Sequence, residues 1–154
     1  MSAGDGMPGR PVEGPAVGLG GLRALRDGLA AAVAGFDVGV VSAADAGVAV
    51  RVFAEIVRLA DAGKLLAVGR ATEVAVWRGS GQASAPEWLA SQTGSSVSEA
   101  AGVLATARKL GGLPATEEAV RAGRLSSGQA KAVADGASVD PAAEGRLLDA
   151  AATG

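Results

Sequence analysis

Three stretches of this chain, Ser84-Ala-Pro-Glu87, Ser96-Val-Ser-Glu99 and Ser126-Ser-Gly-Gln129, repeat one arrangement: a serine followed three residues later by Glu or Gln. A serine before a helix accepts a hydrogen bond from the third helical amide. The Glu or Gln side chain at that third position reaches back to the serine's own N–H, so each pattern marks a helix start. Three starts within about forty residues divide the second half of the chain into short helices. The first runs from Ser84 to Gly94, which supplies the left-handed position that ends it. The second opens at Ser96 and runs to Leu110. Pro114 starts a short helix through Thr116, Glu117 and Val120, ended by Gly123. Ser126 caps the next, with Ala130, Val133 and Ala134 turned inward. Asp140-Pro141 opens a last helix whose stripe, Ala143, Leu147 and Ala150, is cut off where the sequence stops, so the expectation is a helical domain truncated at its C-terminus.

Upstream, Leu22, Leu25, Leu29 and Val33 recur at helical spacing and predict a first short helix. Ser42-Ala-Ala-Asp45 reads as an N-cap with a carboxylate in the first turn, and a long helix is predicted over 43–77. Its apolar stripe is Val52, Ile56, Leu59, Gly63 and Leu66, with Arg51, Glu55 and Arg58 on another face. Gly63 inside it costs about 1 kcal/mol relative to Ala, which predicts a close helix crossing or a bend there. The loop Arg78-Gly-Ser-Gly-Gln82 ends it. Seven Gly and three Pro in the first 21 residues predict a disordered tail over 1–21, leaving 22–154 as a single helical domain. The chain is 49% hydrophobic but only 3% aromatic, so its apolar mass is Ala, Val and Leu; that suits closely packed helices, and the fold class is all-α.

The same composition narrows the chemistry. Without cysteine there are no disulfides, thiolate zinc sites or Cys nucleophiles, and without histidine the commonest general base and transition-metal ligand are missing. No metal constellation or cofactor motif is visible. Ser127, Lys131 and Asp135 are the nearest thing to a reactive set, and they lie on one helix only by spacing. The expectation is therefore a chain that is not an enzyme and holds no cofactor. No signal peptide and no apolar run of membrane-spanning length is present, which predicts a cytoplasmic protein. The net charge of −2 gives no global attraction to nucleic acid, so any such contact must rest on a local patch.

Two features propose such a patch. The segment Trp88–Ala107 has the punctuation of a DNA-reading helix-turn-helix: Ala90 and Val103 where helices cross, Gly94 in the turn, and Ser95, Ser96 and Ser98 where the second helix would meet DNA. Glu99 in the same turn opposes phosphate, and the bland alternative is that Ser96 and Glu99 are only a cap. Between residues 108 and 131 five basic residues, Arg108, Lys109, Arg121, Arg124 and Lys131, face two acidic ones, Glu117 and Glu118. Their alternative reading is a solvated face. Two hypotheses follow: a DNA-binding module using these eight residues, or a helical interaction or spacer module in which they are caps and surface charges, with the long helix as a candidate homodimer interface.

The run Trp88-Leu89-Ala90, Thr93-Gly94, Ala100, Ala107-Arg108-Lys109-Leu110, Leu113-Pro114, Ala119, Gly123-Arg124-Leu125-Ser126 and Gln129-Ala130 resembles the actinobacterial domain of unknown function 222, the 13E12 repeat family. A weaker resemblance extends back to about Phe36. In that family the helical domain usually precedes an HNH endonuclease module. The resemblance thus implies a non-catalytic N-terminal module of an HNH-endonuclease-like protein, associating with DNA. The HNH site itself uses histidine, so none of its residues carry over to this chain. Ser98, Gly102 and Thr106 stand where such domains often show arginine.

Overall fold

The structure is a computed structural model that describes residues 17–153. It is all-α: every regular element among the described residues is a helix. The chain divides into two compact units between Ala43 and Ala44. In the first, α1 spans Leu19–Ala34. It begins three residues earlier than the leucine spacing predicts, taking Gly20 and Gly21 into its first turn. The expected tail lies outside the described residues as far as residue 16. The stripe Leu22, Leu25, Leu29 and Val33 is formed, yet none of it is buried.

The second unit is built on α2, which spans Ala43–Glu73. The helix stops four residues short of the predicted end because Ala75 takes a left-handed conformation, with φ 52° and ψ 42°. A short 3-10 turn over Val76–Gly79 follows, and Trp77 folds back onto Ala85 and Leu89. Packing of the half-buried indole against that cluster is what offsets a strain of about 1–2 kcal/mol for a left-handed alanine.

Beyond the loop the helix limits follow the local signals closely: α3 (Ala85–Thr93), α4 (Val97–Leu110), α5 (Pro114–Arg121), α6 (Ser127–Val139) and α7 (Glu144–Thr153). At Ser96 and Ser126 both halves of the capping box are made. At Ser84 only the serine half is: it accepts from Glu87 N, while the Glu87 carboxylate takes the N–H of Ala83, one residue further out. Gly94 (φ 69°) and Gly123 (φ 67°) hold the left-handed positions expected of them. The last helix does not start at Pro141. Asp140 caps a 3-10 turn over Pro141–Ala143, and α7 follows with Leu147, Leu148 and Ala151 half-buried, whereas Ala150 is exposed.

The core is built of three clusters, two of which join α2 to the short helices. Ala62 and Leu65 of α2 pack with Leu110, Val120, Leu125 and Ala130; Val68 packs with Leu89, Ala100 and Leu104; and Leu113 packs with Ala134 and Ala137. Alanine at many of these contacts lets helix axes approach closely. The stripe predicted for α2 is rotated away from the one observed. Ala62, Leu65 and Val68 are the buried residues, while Val52 and Leu59 are exposed. At Gly63 an added Cβ would meet open space, so the close crossing expected there is absent; a methyl of Ala107 instead lies 4.0 Å from where Gly69 would carry its Cβ. Among the described residues no helix is long and apolar enough to cross a membrane.

Candidate nucleic-acid interface

The eight sequence candidates fall at three separate places. Ser95, Ser96 and Ser98 lie at the N-terminal end of α4. Ser96 Oγ accepts from Glu99 N at 3.2 Å and donates to Glu99 Oε2 at 2.8 Å, and Ser96 N donates to the same oxygen at 2.9 Å. Those bonds hold the Glu99 carboxyl below its usual range, the Ser96 backbone N–H being the largest cause. An ionised carboxylate thus occupies the helix terminus where a phosphate would need to dock. Ser95 is half-buried, its hydroxyl 2.9 Å from that of Thr93. Only Ser98 of the three makes no side-chain hydrogen bond among the described residues.

Lys109 and Arg108 sit in the last turn of α4, some thirteen residues and therefore roughly 20 Å of helix away from Ser96. Lys109 reaches α6, where its ammonium donates to Asp135 Oδ1 at 2.6 Å. Lys131, one turn before Asp135 on α6, donates to the other oxygen, also at 2.6 Å. Both hydrogen bonds stabilise the charged carboxylate, that from Lys109 most, and Asp135 is held down to about 2. Arg121 forks onto Glu117 Oε1 one turn earlier on α5, at 2.9 and 2.8 Å. Three of the five cations are therefore engaged inside the chain. Arg108 and Arg124 are exposed and make no ion pair among the described residues.

Arg124 owes its place to the turn before it. The Arg124 N–H donates to Ala119 O at 3.0 Å and the Gly123 N–H to Val120 O at 2.9 Å, a pattern that closes α5 and requires a left-handed residue at Gly123. The guanidinium of Arg58, on α2, donates to Gly123 O at 3.2 Å and so ties this turn to the long helix.

A groove between α2, α4 and the start of α6, about 480 Å³ in volume, was not visible from the sequence. Its floor is Ala62, Leu65, Val103 and Leu125, and Ser98, Gly102 and Thr106 line the α4 wall. At its edge Asp61 accepts from Lys64 at 2.8 Å and from Ser127 at 2.6 Å. Burial works to raise the Asp61 carboxyl, but those two hydrogen bonds outweigh it and leave it lowered. Of the expected reactive set, Ser127 therefore faces Asp61, while Lys131 and Asp135 bind each other. Among the described residues no three carboxylates converge as a metal site, and no buried side-chain polar atom lacks a partner.

The groove is legible only in three dimensions, because its walls come from helices some sixty residues apart; the spacing of small residues at Gly102 and Thr106 was the one hint of it. Compared with known proteins, the chain matches no family model, no curated protein and no solved structure.

Proposed function

We propose that the chain is a non-catalytic helical module that works by contacting protein, in keeping with a place beside the nuclease module of an HNH-endonuclease-like parent. One observation carries this reading. Of the eighteen large hydrophobic residues exposed among the described residues, fourteen lie between Val17 and Leu59, in α1, the following segment and the first half of α2. Isolated exposed leucines are ordinary, whereas apolar residues exposed in succession along α1, and again along the first half of α2, mark contact surfaces on each unit. The basic cluster points the same way from the opposite side, since Asp135 and Glu117 already hold three of its five cations. Association with DNA is the second reading, favoured by Arg108 and Arg124, which make no ion pair among the described residues.

The test is a pair of substitutions, Leu25→Lys on α1 and Val52→Lys on α2. Each residue is exposed, so each change should move the stability measured by urea unfolding by no more than about 0.5 kcal/mol. Each should also reduce binding of an apolar dye such as bis-ANS. A stability loss above about 2 kcal/mol at either position would make it core and overturn the reading.

A further inference from the structure

We propose that the exposed face of the first half of α2 pairs with the same face of a second copy of this chain, antiparallel and centred between Phe53 and Ala54. This rests on the protein-contact reading above and names the partner. Val48, Val52, Glu55 and Leu59 follow one another at spacings of four, three and four, which places them along a single seam of the helix. The three apolar members are 46, 47 and 52% exposed, and no residue of α2 ahead of Ala62 is buried. The buried stripe Ala62, Leu65 and Val68 is centred more than a quarter-turn away, and the seam ends at Leu59, whose side chain lies against Gly123 and beyond which Ala62 enters the core.

The charges on and beside the seam, Glu55 within it and Arg51 flanking it, choose both the occupant and its direction. Arg51 and Glu55 are four residues apart, both exposed, and neither makes an ion pair among the described residues. In an antiparallel pair about the stated centre, Val48 lies opposite the second copy's Leu59 and Val52 opposite its Glu55. The Glu55 carboxylate is then level, within about 1.5 Å along the axis, with the Arg51 guanidinium of the other copy, and the two-fold axis repeats the pair. A parallel arrangement would set Glu55 beside Glu55 and Arg51 beside Arg51. The seam is thus complementary to itself in one direction only. A seam of four residues covers less than the ~800 Å² each partner gives a standard interface, so the pairing is weak and reversible.

Sedimentation equilibrium on the full chain from about 10 μM to 1 mM should show a monomer–dimer equilibrium. Arg51→Glu and Glu55→Arg should each weaken it about tenfold, with helix content by circular dichroism unchanged because both sites are exposed. The two together should restore it to within about threefold. The chain has no cysteine, so single thiols report geometry. Under mild oxidation Val52→Cys should cross-link, its two copies being offset by about 4.5 Å along the axis, and Val48→Cys should not, at about 16 Å. A chain monomeric at 1 mM, a dimer indifferent to the charge reversals, or equal cross-linking at both positions would overturn the pairing. A monomer that binds no duplex DNA removes the self-pairing alone, whereas salt-sensitive duplex binding lost on replacing Arg108 and Arg124 removes the reading beneath it.

Discussion

Replacing Glu144 by Ala should cost the fold about 3 kcal/mol, although Glu144 is a half-buried charged residue at the start of a peripheral helix. The reason lies at the start of α5. Leu113 occupies the N-cap position there and has no side-chain acceptor, so the early amides of α5 need a partner from elsewhere. Glu144 provides it across a separation of 28 residues: its Oε1 accepts from both Thr116 N and Thr116 Oγ1, each at 2.7 Å. Thr116 is fully buried. Removing the carboxylate strands one N–H and one hydroxyl where water is excluded, at about 1–3 kcal/mol apiece, and withdraws a negative charge from a helix N-terminus, worth about 0.3–1 kcal/mol. Some relief comes from water entering the space that the side chain leaves, which places the expected loss near the lower end of that range. The assay is urea unfolding followed by circular dichroism, with Thr116→Val and the double substitution completing a cycle. The two single losses should exceed the double loss by at least about 1 kcal/mol, because they disrupt one shared set of bonds. A loss under about 1 kcal/mol for Glu144→Ala at unchanged m-value would show that the clamp between α5 and α7 does not form in solution.

Asp135 should titrate near 2 by carbon-detected NMR, and either Lys109→Met or Lys131→Met should raise it toward the ordinary carboxylate range. Because its folded value is depressed, the stability it contributes is present above about pH 4 and is lost as pH falls toward 2; an ordinary value would mean the lysines do not hold it. Ser96→Ala should lower stability by about 1 kcal/mol through loss of the cap, DNA or no DNA. An unchanged denaturant midpoint would mean that α4 does not begin there.

The boundaries of the short helices were legible in the sequence because their causes are local. Ser96, Ser126, Gly94 and Gly123 each act on amides or carbonyls within three or four residues, and all four do in the structure what their spacing implies. The buried face of α2 was not legible. Valine appears on several sides of it, at Val48, Val50, Val52 and Val57, so periodicity alone selected the wrong stripe. Tertiary contact with Leu110, Val120 and Leu104 decided the matter. The charge cluster failed to read for a related reason. Asp135 lies four residues beyond Lys131, just outside the counted window, and its bond to Lys109 spans 26 residues. Trp77 gave no warning that Ala75 would turn left-handed, because the strain is stabilised by a contact with the next helix but one.

Whether the basic cluster at residues 108–131 is held mainly by the chain's own carboxylates, leaving apolar surface to make the contacts, is decided by fluorescence anisotropy on a labelled duplex at about 50 mM salt. Wild type and an Arg108→Ala/Arg124→Ala variant are compared while salt is raised. No saturable binding is expected up to about 100 μM chain, and because only Arg108 and Arg124 of the five clustered cations stand outside an ion pair among the described residues, any residual association through the cluster should have a log–log salt slope no steeper than about −1.8. Micromolar binding with a slope approaching −4.5, the limit for five neutralised charges, and abolished in the variant, would contradict it: Lys109, Arg121 and Lys131 would then leave their carboxylates for phosphate, and the module would be a DNA-binding one.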